Sequence, residues 1–351
     1  MADYENEKII WQDQEVLFDV DKSRLELCPG EYAADVIYRV EDTKGNAGME
    51  GTLTITNLRL IWVSSGTSAI NLSMGFSCLK NLAIHSARSA LRGVSQALFI
   101  VFASKSSQYE FVFTHLHQTS PRMFSSVQAV QRAYDTSKLY RNLTLRGGFV
   151  QNKRLVLLPQ EEQYSSYDGV WSLSSQESQG SLGTLVVTSV RVVWFSNNTD
   201  NFNVSIPYLK ITQMCSHDSK FGRALVISAV SASDPTKRFT LGFKIDPESR
   251  LVQIKEELIA LIRAFRAKPF FGITRTVVDV ASATPQPAPR ASDVTVTKRA
   301  NPVDPLSRYM VRAQGGRAPI LDPGLGLLVE APPTGYHVAD LFALGGLGGS
   351  G

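Results

Sequence analysis

Gly51-Thr-Leu-Thr-Ile-Thr-Asn-Leu-Arg-Leu-Ile-Trp62 returns later in the chain as Gly183-Thr-Leu-Val-Val-Thr-Ser-Val-Arg-Val-Val-Trp194. The offset is 132 residues, and it still holds at Asn71-Leu-Ser-Met against Asn203-Val-Ser-Ile. With small drift, Ala97-Leu-Phe-Ile pairs with Ala224-Leu-Val-Ile. Upstream, Leu27-Cys-Pro-Gly-Glu31 resembles Leu157-Leu-Pro-Gln-Glu161. A solenoid shows many short copies; two long ones mean two like domains in tandem. The 351 residues suit that count.

Each copy reads as strands followed by one helix. The quoted segments are rich in Val, Ile, Leu and Thr, with Asn57 or Ser189 at a tight turn, which is a hairpin signature. Ala97–Ala103 with Tyr109–Phe113, and Ala224–Val230 with Phe239–Phe243, read as further strand pairs. The period then changes. Asp246-Pro247-Glu248 predicts a helix start with Asp246 as N-cap. Leu251, Ile254, Leu258, Leu261, Ile262 and Phe265 follow on one helical face. In the first copy Ser120-Pro121 opens the helix, and Met123, Val127, Val130 and Tyr134 line it. The expected fold is mainly β: two tandem pleckstrin-homology-like barrels of the GRAM/GLUE type, each closed by a C-terminal helix that covers the apolar interior. The boundaries are a lead segment 1–19, domains at 20–145 and 150–270, a linker at 271–323 and a tail at 324–351.

The linker reading rests on composition. Nine of the sixteen prolines fall between Pro285 and Pro333, among Ala, Thr, Ser and Gly. Such a stretch buries too little apolar surface to offset its ordering entropy. Apolar residues return in the tail. Leu327, Val338, Leu341 and Phe342 are candidates for docking a partner, or for folding back onto the chain's own domains.

Composition narrows the chemistry. Hydrophobic residues are 43% and charged residues 19% of the chain, and the net charge is +4. That excess is too small for a dedicated nucleic-acid binder. Cys28, Cys78 and Cys215 lie far apart without CxxC spacing, which suits a reducing compartment and argues against structural zinc. No apolar run long enough to span a bilayer is present, and Met1–Glu7 is polar, so a soluble cytoplasmic protein is expected. Nucleophile elbow, P-loop and HExxH motifs are absent. His115-x-His117 is a two-ligand fragment without a nearby third ligand, and it reads as a solvated pair. No catalytic residue, metal or cofactor is expected.

Binding candidates are basic. Arg88 and Arg92 lie before Ala97–Ala103, and Lys220 and Arg223 lie at the same place in the second copy. Paired cations beside Ser86, Ser89 and Ser219 can hold a phosphoryl group, and a solvated loop explains them as well. Arg39 and Lys44, in the loop entering the first hairpin, are weaker candidates. Trp62 and Trp194 read as core. Arg59 and Arg191 read as partners of a nearby carboxylate or turn carbonyl, with a phosphate contact as the alternative.

The paired Gly-x-Leu-x-x-Thr-x-x-Arg-x-x-Trp segments resemble the hairpin of GRAM- and GLUE-type pleckstrin-homology domains. Longer stretches carry a closer likeness. Ile37-Tyr-Arg-Val-Glu-Asp-Thr-Lys-Gly-Asn46, Ala133-Tyr-Asp-Thr-Ser-Lys138, Phe202-Asn-Val-Ser-Ile-Pro-Tyr208, Asp218-Ser-Lys-Phe-Gly222 and Leu241-Gly-Phe-Lys-Ile-Asp-Pro247 resemble the Bardet–Biedl syndrome 5 family over about residues 9–272. The resemblance implies a non-enzymatic subunit of the BBSome, a coat recruited to membranes by a small GTPase, which moves membrane proteins in cilia and flagella. It implies other BBSome subunits and phosphoinositide headgroups as partners, and a place in the cytoplasm, at the basal body and peripherally at the ciliary membrane. It also implies a scaffold-only alternative without lipid binding. Ala90 stands where that family tends to carry Lys, and Pro332-Pro333 interrupts the tail segment.

Overall fold

The structure, a computed structural model, describes residues 4–5, 12–104, 106–116, 122–173, 180–230, 238–273, 309–310, 319–322 and 327–330. A short strand β1 (Tyr4–Glu5) opens the chain. Then come β2 (Val16–Phe18), the single turn α1 (Lys22–Leu25), β3 (Ala33–Asp42), β4 (Met49–Thr56), β5 (Arg59–Ser64), β6 (Asn71–Gly75), β7 (Leu79–Ser89), β8 (Gly93–Ser104), β9 (Ser107–His115) and helix α2 (Arg122–Thr136). The second copy starts with β10 (Thr144–Leu145) and the small hairpin β11 (Val150–Gln151) and β12 (Arg154–Leu155). It continues through β13 (Gln163–Ser172), β14 (Ser181–Thr188), β15 (Arg191–Ser196), β16 (Asn203–Pro207), β17 (Ile211–Ser219), β18 (Gly222–Val230), β19 (Arg238–Lys244) and helix α3 (Glu248–Ala267).

The first sheet runs β2-β6-β5-β4-β3-β9-β8-β7, and the second runs β1-β17-β18-β19-β13-β14-β15-β16-β10. Seven strands correspond one to one. Short strands β2 and β10 extend the equivalent edges beside β6 and β16. Hydrogen bonding does not join the two ends of either sheet among the described residues. Helices α2 and α3 bury the faces predicted from their periodicity: Met123, Val127 and Tyr134 in one, and Leu251, Ile254, Leu258, Ile262 and Phe265 in the other. None of the described helices is long and apolar enough to cross a membrane.

The quoted repeat decides the core. Trp62 and Trp194 are buried, and each indole N–H donates to a carbonyl across the sheet, Val40 or Val170, at 3.0 Å. The ring lies where a Cβ on Gly51 or Gly183 would have to sit, so both positions need glycine. Arg59 and Arg191 have side chains with 0% exposure and pair with Glu31 and Glu161 at 2.9 and 2.7 Å. The carboxylates come from the Leu27–Glu31 and Leu157–Glu161 echoes, which thus share a structural purpose. Thr56 and Thr188 bond the same carboxylates at 2.7 Å. This excludes the phosphate-contact reading of Arg59 and Arg191.

Several expectations are corrected. Pro247, not Asp246, occupies the N-cap of α3, and no side chain caps it; Asp246 instead pairs with Lys244 at 3.1 Å. The stretches before Ala97 and Ala224 are strands β7 and β17 rather than polar loops. The lead segment contributes β1 to the second sheet and β2 to the first. Within the expected linker, Phe271, Ile273 and Tyr309 are buried. Residues of the expected tail also pair, since β20 (Pro319–Asp322) and β21 (Leu327–Glu330) form an antiparallel hairpin across the 323/324 boundary.

The two domains share an apolar cluster and touch through polar bonds. Arg141 donates to the Phe271 carbonyl at 3.0 Å and to Ser137 Oγ at 2.6 Å, with its guanidinium 3.8 Å over the Tyr134 ring. The Tyr32 hydroxyl donates to the Ile273 carbonyl at 3.0 Å, and the Tyr140 hydroxyl to the Pro159 carbonyl.

Candidate functional site

Strand direction sets Lys44 apart from Arg39, Arg88 and Arg92 in the first domain. Ser89 pairs with Gly93 at the β7–β8 tip, while Ser104 pairs with Ser107 at the opposite end. Val40 pairs with His115 and Asp42 with Phe113, so β3 runs away from that tip and its loop 43–48 lies at the β8–β9 end. Arg88 and Arg92 are therefore at one end of the first sheet and Lys44 at the other. Arg39 lies in β3 itself, not in the loop. It sits at a bulge with φ 58°, where the second copy has Gly169 at φ 81°.

Most of these cations already have partners. Arg39 Nε donates to Glu50 at 3.2 Å, Lys44 Nζ to Glu110 at 2.5 Å and Arg223 to Glu248 at 2.6 Å. Arg92 donates to the His115 carbonyl at 2.8 Å. Arg88 is exposed on β7, and Lys220 lies 4.7 Å over the Phe221 ring.

The two tips differ in one buried residue. In the first domain Glu41 is fully buried at the base of the tip. It accepts the Ser89 hydroxyl and the Ala90 amide, the latter at 2.9 Å. Ser89 Oγ in turn accepts the Leu91 and Arg92 amides at 3.1 and 2.9 Å. An internal carboxylate thus occupies donors that an incoming phosphate would use. By register the second copy places Trp171 where the first has Glu41. Among the described residues no buried carboxylate is bonded to the Ser219–Arg223 tip, where Arg223 pairs with the exposed Glu248.

At the other end of the first domain, the β3–β4 loop is filled by the chain itself. Tyr309 is buried between Phe18 and Phe111, with ring centroids at 5.4 and 4.8 Å. Its hydroxyl donates to Asp42 and accepts from Asn46 Nδ2 at 2.8 Å. Asp42 also accepts the Gly45 and Asn46 amides at 3.1 Å each. Strand β3 leaves β9 beyond Phe113, and the Tyr309 carbonyl takes the exposed Glu110 amide at 2.5 Å. Burial pushes the carboxyl of Asp42 up, and the Tyr309 hydroxyl well up.

Comparison with known proteins places this geometry. Residues 31–136 match the family described as the Bardet-Biedl syndrome 5 protein N-terminal PH-like domain, and residues 144–275 match its second PH-like domain. The chain belongs to the Bardet–Biedl syndrome 5 family. A Danio rerio relative named "BBSome complex member BBS5" is 41% identical over 347 residues, covering 96% of this chain and 98% of its own. The Homo sapiens relative of the same name is 41% identical and covers 95% and 97%. "BBSome complex member bbs-5" of Caenorhabditis elegans is 34% identical and covers 96% and 97%.

In this chain, no group of three or more His, Cys, Asp or Glu among the described residues is placed to hold a metal ion. Burial raises the Cys78 thiol to about 11, which keeps it protonated and unreactive at neutral pH. His117, Val338, Leu341 and Phe342 lie outside the described residues. The sequence reading missed Tyr309, Glu41 and Asp42. A lone tyrosine in a proline-rich stretch carries no local signal, whereas Glu41-Asp42 ended a readable strand and was a findable pair.

Proposed function

We propose that this chain is a non-enzymatic subunit of the BBSome. The observation that carries the reading is the end-to-end match to relatives named as BBSome complex members, through both domains and the tail. Its PH-like domains serve first as partner-binding modules. Support comes from the partners that Arg39, Lys44 and Arg92 already have, from the placing of Lys44 at the end of the first sheet opposite Arg88 and Arg92, and from the loop that Tyr309 fills. The protein works in the cytoplasm, at the basal body and peripherally at the ciliary membrane, in a coat recruited by a small GTPase. Residues Leu327, Val338, Leu341 and Phe342 help dock it to neighbouring subunits.

A second reading, direct phosphoinositide contact, is favoured at one place. The β17–β18 tip exposes Lys220 and Arg223, the latter paired with the exposed Glu248, and among the described residues no buried carboxylate lies beneath them. Each cation near an anionic membrane contributes about 1 kcal/mol, which becomes useful when multiplied over an assembly. A tagged full-length chain, purified from ciliated cells, should recover the other BBSome subunits in fixed ratio, and deletion of 324–351 should reduce that recovery. A chain recovered alone overturns the assembly role. Flotation of the purified chain with phosphoinositide vesicles, lost in the Lys220→Ala, Arg223→Ala double variant, would establish the lipid reading.

A further inference from the structure

Among the described residues, the second sheet carries a guest strand that the first lacks. Strand β1 adds to the outer edge of β17, with Tyr4 opposite Met214 and Glu5 opposite Gln213. Tyr4 is buried, and its hydroxyl accepts from Arg266 of α3 at 2.9 Å. The equivalent edge of the first domain is β7, which ends its sheet. The pairing across each hairpin fixes the equivalence. Leu82 faces Ile100 as Met214 faces Ile227, and Asn81 faces Val101 as Gln213 faces Ser228. The helices match too, since Phe76 packs on Tyr134 at 5.5 Å as Tyr208 packs on Phe265 at 5.8 Å. Asp135 therefore stands where Arg266 stands in the second domain.

A cleft of about 270 Å³ opens at this place, lined by Leu79, Asn81 and Leu82 of β7 and by Gln131, Tyr134 and Asp135 of α2. We infer that the β7 edge and α2 form a strand-addition site for an extended segment of a partner protein, anchored by a lysine or arginine that donates a hydrogen bond to Asp135. The inference deepens the assembly reading and rests on it.

The anchor chemistry follows from the exchange of Arg266 for Asp135. A cation that donates to a tyrosine oxygen is replaced by a carboxylate that can only accept from its guest. Asp135 is held by Gln131 Nε2 at 2.7 Å and lies 3.6 Å from Lys138, with its side chain 46% exposed, so it remains reachable. The bulge at Lys80 does not block pairing. The second domain has the same irregularity between Ile211 and Gln213, and β1 pairs immediately beyond it. The chain's own β1 is already committed to β17 and is not the guest here. Backbone pairing supplies affinity in such additions and the anchor pocket supplies selectivity.

The test uses the full chain in the assembled complex, with a photo-crosslinking amino acid at Asn81. Expected is a crosslink to one extended segment of another subunit, mapped by mass spectrometry, with a Lys or Arg close by. Asp135→Arg in the same background should cut the yield about tenfold or more, because a pairing charge becomes a repelling one, while thermal unfolding of the chain is unchanged. Crosslinks only within the chain or to a second copy, no crosslink at all, or a yield indifferent to Asp135→Arg would overturn the inference and leave the assembly reading standing. Failure of the chain to co-purify with the complex would overturn both.

Discussion

Glu31 and Glu161 each neutralise a guanidinium that has no access to water, and Arg59 also donates to the Arg24 and Glu26 carbonyls at 2.8 Å. Removing one partner leaves a buried charge unmatched. Glu31→Ala should cost about 3–5 kcal/mol of stability, and Glu161→Ala a similar amount in its own domain. Denaturant unfolding of each variant checks this; a loss below about 1 kcal/mol would mean that water reaches the site. Asp13 gives the opposite kind of test. Burial pushes its carboxyl up, Tyr134 donates to one oxygen at 2.6 Å, and the other oxygen has no partner among the described residues. The native state therefore keeps a proton that the unfolded chain releases above about pH 4. Stability from this group is full below that pH and falls as pH rises through the elevated native value. Melting temperatures measured from pH 4 to 7 should show a smaller decline in Asp13→Asn than in the parent.

At the scale of elements, Tyr309 acts as a plug for the place where β3 and β9 part. Its ring completes an aromatic cluster, and its backbone satisfies the Glu110 amide. Tyr309→Ala should destabilise the first domain by about 3–5 kcal/mol, in the range for emptying a large aromatic site. Tyr309→Phe should cost only about 1 kcal/mol, since Asp42 keeps its donors from Gly45 and Asn46. Amide exchange at Glu110 should accelerate in the alanine variant, and unchanged exchange would argue that the plug is dispensable. The edges β7 and β17 are a matched pair of elements with different guests. Periodicity made the helices legible, because α2 and α3 place their apolar residues on one face whatever lies beside them. It did not make β7 and β17 legible, because most of their side chains are half-buried on both faces and show no clean two-residue alternation.

For the whole molecule, the contact between domains joins an apolar cluster, in which Tyr140 packs on Phe270 at 5.5 Å, to a set of polar bonds. Arg141 is the hub, holding Ser137, Tyr134 and the Phe271 carbonyl at once. Arg141→Ala should uncouple the domains. Calorimetry would then show two separable transitions where the parent unfolds in one, and a single unsplit peak at lower temperature would place Arg141 inside one domain's own stability instead. Length, repeat and period change determined from sequence alone that there are two like β domains, each ending in a helix, and the repeated Gly, Thr, Arg and Trp determined their cores. These signals are local or recur at a constant offset, so they survive without coordinates. Only the tertiary structure decided that Tyr309 fills the first domain, that Tyr4 crosses to the second, and that the basic residues divide between opposite ends of a sheet. The physical reason is that such contacts join residues more than 200 positions apart, as Tyr309 joins Asp42 and Arg266 joins Tyr4. Their energy comes from shape and pairing in space, and no periodicity along the chain records it.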